Sequence, residues 1–430
     1  MKRLAYSKLL KWKKSKRRKP LIIRGARQVG KTWLMQEFAS NEYKNTIYIN
    51  FEESSNMKEL FLKDFDIDRI LLAFQIKTNI KAEPNNTLII LDEIQEAERG
   101  ITSLKYFQEN ASEYHIMAAG SYLGISIHKN ASFPVGKVDF LDLYPLNFKE
   151  FLMANGENAI LELLQKKSWD MITLFKTKLI EQLRTYYFVG GMPEVVLSFI
   201  EEKSFKQVRK IQNQLLDAYE QDFSKHAPKE IIPRIRMLWQ SLPAQLAKEN
   251  KKFIFGLIKK GARAREYELA IEWLKDSGLI HTVFRIKKPS LPLISYKDNN
   301  AFKVYIFDVG LLGAMSKLDS KTLLLDKGVF EEFKGALTEQ YVYQQLITNN
   351  EIAIYYWSSE KSSGEIDFII QKENQVFPLE VKATENLKAK SLKAFKTKYN
   401  IEKSYRTSLS NFRKEEWMEN IPLYGIGEVF

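Results

Sequence analysis

Eight residues, Gly25-Ala26-Arg27-Gln28-Val29-Gly30-Lys31-Thr32, constrain this chain more than any other stretch. They follow the apolar run Leu21-Ile22-Ile23 and lead into Trp33-Leu34-Met35-Gln36-Glu37-Phe38, so a short strand, a loop with two glycines and a helix are expected in immediate succession. In that setting the spacing G-x-x-x-x-G-K-T is a phosphate-binding P-loop. Backbone N–H groups of such a loop, with the start of the following helix, converge on one anionic site. Residues Gly25 to Thr32 are therefore the expected nucleotide cradle, with Lys31 reaching the phosphates and Thr32 Oγ ligating Mg²⁺. A solvated lysine in a Gly-rich turn is the competing reading, and the flanking strand and helix signals argue against it.

The next apolar runs fit that reading. Asn45 to Phe51 is β-rich and of the kind a parallel sheet buries, and Glu52 and Glu53 follow it. Thr87-Leu88-Ile89-Ile90-Leu91 ends in Asp92-Glu93. A strand buried on both faces would deliver Asp92 to the metal and Glu93 to the attacking water. His115 to Ala119 is a further buried strand, followed by Gly120-Ser121. Ser121 can contact the γ-phosphate or simply form the turn, and local pattern leaves both open. Lys31, Glu93 and Ser121 are the expected catalytic set. Alternating strands and helices with short connections predict a right-handed α/β core through about residue 140.

The chain carries a formal charge of +13, and residues 1–20 contain Lys and Arg but no Asp or Glu. This balance favours a polyanionic partner, here duplex DNA bound with low specificity, although a protein partner fits too. The basic start reads either as a nucleic-acid arm or as an amphipathic helix packed through Leu4, Leu9, Leu10 and Trp12. The absence of cysteine excludes disulfides and thiolate metal sites, and the four histidines are too scattered for a histidine-built zinc site. No run approaches the roughly 18 apolar residues of a membrane span, so a cytoplasmic protein without membrane contact is expected.

Beyond residue 145 the pattern turns helical, punctuated by Gly190-Gly191-Met192-Pro193, which reads as a helix–helix corner. From Pro233 the order is helix, helix, hairpin, with Arg263 and Arg265 opening the second helix; this is winged-helix order, usable against DNA or protein. After a helical pattern holding Glu339 come three strands. Glu380 and Lys382 lie two apart on one of them and so share a face, and the preceding strand can bring Asp367 beside them. Oxygen ligands of this kind suit Mg²⁺, while a charged, solvent-facing hairpin would give the same letters. No signal is read in the tail from Glu402.

Taken together, Arg24 to Thr32, Leu91-Asp92-Glu93-Ile94-Gln95, Gly120-Ser121, Leu143 to Phe151 and Gly190 to Pro193 resemble the prokaryotic AAA+-like P-loop ATPases that carry a carboxy-terminal domain of unknown function. The resemblance implies an α/β fold in four parts: a P-loop NTPase core over 1–145, a helical region over 146–230, a winged-helix-like module over 231–300 and a restriction-endonuclease-like α/β domain over 301–430. Asp367, Glu380 and Lys382, with Glu339 as a third acid, are similar to the PD-(D/E)xK nuclease core. It further implies ATP and Mg²⁺ as cofactors and a homo-oligomer as a possible assembly. The expected activity is ATP hydrolysis coupled to binding modules, with an ATP-regulated nuclease or a non-catalytic ATP-dependent switch as alternatives. One departure stands out. Where the family has Gly-Arg before the Leu-Tyr-Pro-Leu segment, this chain has Gly136-Lys137, which weakens the assignment of a residue acting on a neighbour's nucleotide; Arg184 and Arg99 are other candidates.

Overall fold

The computed structural model describes residues 1–120, 134–247, 252–320, 331–349, 351–359, 364–385 and 388–430; Ser121 lies outside them. The chain forms two compact units, Met1–Tyr144 with Asp276–Leu279, and Pro145–Lys275 with Ile280–Phe430. Apart from Asp276–Leu279, the residues from 146 to 430 fall within the second unit.

The first unit is built on a five-stranded parallel sheet. Its strands are β1 (Leu21–Arg24), β2 (Asn45–Asn50), β3 (Thr87–Asp92), β4 (His115–Ala119) and β5 (Asp139–Asp142), in the order β2-β3-β4-β1-β5. Parallel neighbours require crossovers, and helices Lys31–Glu42, Ile67–Thr78 and Gly100–Asn110 supply them. Every residue of β3 and β4 is buried, which is why both read as unbroken apolar runs. Helices Ser55–Lys58 and Ile67–Thr78 lie between β2 and β3, the second capped by Asp66, whose side chain accepts from Arg69 N.

The basic start of the chain forms the helix Ala5–Lys14. Leu9 and Trp12 are buried while Leu4 stays exposed, and Trp12 Nε1 donates to Lys19 O at 2.8 Å. Its apolar side is thereby docked, and the last turn carries Lys11, Lys13 and Lys14.

The second unit joins helices to an eight-stranded mixed sheet. The hairpin β6 (Ile280–Ile286) and β7 (Lys297–Ile306) pairs in parallel with β8 (Ile352–Ser358) through Arg285 and Tyr356. The sheet continues antiparallel through β9 (Glu365–Lys372) and β10 (Gln375–Val381). It ends with β11 (Tyr405–Ser408), β13 (Glu419–Pro422) and β12 (Arg413–Lys414). Helices Ile232–Leu246 and Ala264–Asp276 precede the hairpin in the expected order, and the hairpin is part of the larger sheet.

The Gly190-Gly191 corner is a packing device. Leu146 N donates to Gly191 O at 2.7 Å, and buried Asp308 accepts from Gly191 N at 2.6 Å and from Leu311 N at 3.0 Å. Gln344 donates to the same carboxylate and to the hydroxyl of Tyr186. Burial pushes the Asp308 carboxyl up, against the hydrogen bonds that hold its charged form. Among the described residues no helix is long and apolar enough to cross a membrane.

Candidate nucleotide site

Gly25 and Gly30 take φ values of 150° and 91°, which favour glycine. A Cβ on Gly25 would lie 2.1 Å from Leu143 O, so the loop can follow this path only without a side chain there. Val29 is fully buried beneath it, and Gly30 caps the helix that begins at Lys31. Arg3 reaches the loop from below, donating through Nη1 to Val29 O at 2.9 Å and through Nη2 to Tyr144 O at 2.6 Å. Residues Gly25 to Thr32 are therefore held as a bent loop leading directly into a helix N-terminus.

Lys31 Nζ curls back onto this loop, donating to Gly25 O at 2.9 Å and Ala26 O at 2.8 Å. Burial brings its ammonium down to about 8, although Glu93 and Asp92 pull the other way. Thr32 Oγ1 donates to Asp92 Oδ2 at 2.7 Å, so the two expected metal ligands touch. Asp92 stands at the end of β3, with β4 between that strand and β1. Its carboxyl is raised by burial, against hydrogen bonds from Thr32 and Tyr48. Glu93 follows in a left-handed conformation (φ 48°), its backbone N donating to Asp92 Oδ1 at 3.1 Å. Arg27 lies 3.8 Å from Glu52 at the loop's edge.

Two participants escaped the sequence reading, and a third, Gln95, was named there without a role. Tyr48 on β2 donates its hydroxyl to Asp92 Oδ2 at 2.9 Å, Gln95 Nε2 donates to Glu93 Oε2 at 2.6 Å, and Arg3 braces the loop. Tyr48 stood in a strand pattern with no special spacing; Gln95, two residues past Glu93, was the most findable. The Thr32 hydroxyl and Asp92 carboxylate form a hard oxygen set beside a cationic loop, which suits Mg²⁺ with a polyphosphate. Of the residues considered for action on a neighbouring nucleotide, Lys137 pairs with Glu109 at 3.0 Å and Arg99 covers the ring of Phe65. Arg184 lies on the helix Lys176–Val189 of the second unit.

The carboxy-terminal group is a second polar cluster. The antiparallel register pairs Leu379 with Phe368, which sets Glu380 opposite Asp367. Val381 N donates to Asp367 Oδ2 at 2.8 Å, and Lys382 Nζ lies 2.8 Å from Glu380 Oε1. Buried Glu380 Oε2 has no hydrogen-bond partner among the described residues. Glu339 is held by a buried lysine that also feels the charge of Asp367. Lys303 of β7, which the sequence reading passed over, is fully buried with its Nζ 3.1 Å from Glu339 and 2.5 Å from Glu365. The Tyr305 hydroxyl also donates to Glu339. Among the described residues no group of three or more His, Asp or Glu side chains is arranged to hold a metal ion.

Residues 17–152 match the family model described as AAA domain. Residues 180–322 and 334–425 match two models described as domains of unknown function, DUF8612 and DUF4143. No curated protein matches the chain significantly. Among solved structures it is similar to a Walker-type ATPase of Pyrococcus abyssi, 15% identical, over 73% of this chain and 95% of the other, with a TM-score of 0.44. It is also similar to the ORC1 protein of Aeropyrum pernix in complex with DNA (10%, 73% and 90%, TM-score 0.28) and to Drosophila ORC bound to DNA (11%, 73% and 85%, TM-score 0.26). Scores this low carry no argument about function. Residues 17–152, which hold the parallel sheet and its glycine-bent loop, are thus an AAA domain of P-loop type.

Proposed function

We propose that the first unit binds Mg²⁺-ATP and hydrolyses it. The observation that carries this reading is the meeting of Thr32 with Asp92, beside a buried Lys31 and the carboxylate of Glu93. Lys31 would exchange its two loop carbonyls for phosphate oxygens, and Thr32 and Asp92 would hold the metal. Bound Mg²⁺ supplies charge neutralisation on the phosphates. Glu93 would leave Gln95 and orient the attacking water, accepting its proton. Ser121 is retained as a γ-phosphate contact on sequence grounds. Steady-state hydrolysis by the parent, Lys31→Ala and Glu93→Gln chains tests this. Lys31→Ala should lose nucleotide affinity, and Glu93→Gln should keep it while slowing turnover by two or more orders of magnitude. Turnover unchanged in Lys31→Ala would remove the assignment; binding without turnover in the parent would favour the ATP-dependent switch.

Coupling of the nucleotide state to duplex DNA or a protein partner, and homo-oligomerisation, belong to the same proposal; the charge of +13 supports the first. A second reading, phosphodiester cleavage by the carboxy-terminal cluster, is supported by Glu380 Oε2 standing buried and unbonded opposite Asp367. Glu339, the third acid of this reading, is held by Lys303 and Tyr305, and both of these also feel the charge of Asp367. Mg²⁺-dependent cleavage lost in Asp367→Asn and kept in Lys31→Ala would establish it; no cleavage by the parent would dismiss it.

A further inference from the structure

A cavity of about 660 Å³ opens in the second unit, lined by none of the residues of the two clusters described above. One wall is the helix Phe205–His226, which presents Lys206, Arg209, Lys210 and Asn213. These positions are three, four and seven apart, so they share one helix face. The opposite wall is the segment from Ala314 to Ser320, which adds Lys317 and Asp319.

Arg209 is the unusual member. Its guanidinium lies over the ring of Phe188, 4.4 Å from the centroid, and Nη2 donates to Leu318 O at 2.8 Å. Nη1 is shut off from solvent and has no hydrogen-bond partner among the described residues. Burial lowers the guanidinium to about 10, opposed by the Asp319 carboxylate. Arg209 lines the cavity, so its charge acts at short range on an anion held there, without Nη1 itself being exposed. Lys206, Lys210 and Lys317 are exposed at the rim, so four cations face one carboxylate. A lone carboxylate ligand would leave most of that charge unanswered, whereas a phosphoryl or diphosphoryl group answers it. The volume is that of a small-molecule site, and a cavity receives a strand end or a free nucleotide more readily than the side of a duplex.

We propose that this cavity binds a phosphoryl group, with Arg209 at its base and Lys206 and Lys210 at its rim. The site is independent of the P-loop. Lys31→Ala chains, in which the nucleotide site is disabled, would be titrated calorimetrically with pyrophosphate, AMP, and 5′-phosphorylated and 5′-hydroxyl single-stranded oligonucleotides at low salt. Pyrophosphate should bind, and Arg209→Gln should weaken it at least tenfold. Because Arg209 also ties Leu318, the exposed pair Lys206→Gln/Lys210→Gln serves as the variant that leaves the fold intact, and it should weaken binding several-fold. Preference for the 5′-phosphorylated oligonucleotide over AMP would identify a strand end as the source; the reverse would identify a free nucleotide. No pyrophosphate binding at millimolar concentration, or binding unchanged in both sets of variants, would overturn the proposal.

Discussion

Replacing Lys303 by methionine tests how the carboxy-terminal cluster is held together. The side chains of Lys303 and Glu339 are each 1% exposed, and their separation is 3.1 Å. Methionine keeps the length of the stem and removes the charge, so Glu339 and Glu365 lose their shared counter-ion. Breaking a buried pair by removing one partner costs about 3–5 kcal/mol, because the remaining charge stays desolvated and unmatched. Through the relation of 1.36 kcal/mol per decade, amides that exchange by opening of this unit should exchange roughly 10²–10⁴-fold faster. Peptides covering β7 and β9 are the place to read it, by mass-resolved hydrogen exchange beside urea unfolding. The double variant Lys303→Met/Glu339→Gln should recover part of the loss, since it removes one stranded charge. Burial alone would lower the Lys303 ammonium, but Glu339, Glu365 and Asp367 outweigh it and hold it well above the ordinary lysine range. The folded chain thus keeps this proton where the unfolded chain would release it. The contribution is complete below about pH 10 and is lost as pH rises through the folded-state value. A Lys303→Met chain within about 1 kcal/mol of the parent would refute this account of the cluster.

Three other outcomes are expected. Burial, with Arg18 and Lys13 nearby, depresses the His115 imidazole to about 4, so the unfolded chain binds the extra proton between pH 6.5 and 4. Stability should fall on acidification through that window by on the order of 3 kcal/mol, and an unaltered slope in His115→Phe would contradict the assignment. A Cβ on Gly191 would lie 2.0 Å from Leu146 O, whereas one on Gly427 meets nothing within 4 Å. Denaturant unfolding should accordingly show Gly191→Ala losing about 1–3 kcal/mol and Gly427→Ala close to neutral; equal effects would dismiss the steric argument. Duplex DNA affinity should fall steeply with added salt and weaken more on neutralising Lys11, Lys13 and Lys14 than on changing Arg263 and Arg265, as fluorescence anisotropy would record; no binding at low salt would dismiss the nucleic-acid reading.

The strands of the first unit and its phosphate loop were legible in the sequence because their determinants are local. Buried parallel strands are apolar over most of their length, as Leu88–Leu91 and Ile116–Ala119 are, and a phosphate loop needs its glycines at fixed spacing before a helix. Asp92 and Glu93 were readable because they terminate such a strand. The pairing of Asp367 with Glu380 was likewise foreseeable from alternation along a hairpin, since period-two geometry decides which side chains share a face. The tail was not. Strands β11, β12 and β13 are two to four residues long and polar. Buried Arg406 and Ser408 hydrogen-bond to Asn420 in the folded chain, but alone they carry the letters of a loop. The partners of the acids were hidden for the same reason. Tyr48 finds Asp92 only because β2 lies beside β3, and Lys303 finds Glu339 and Glu365 only because the helix Glu331–Leu346 packs on β7 and the fold brings the start of β9 to the same place. A buried charge declares itself in a sequence only when its counter-ion is near in the chain; here 36 and 62 residues separate Lys303 from its two partners, and only the tertiary structure brings them to contact distance.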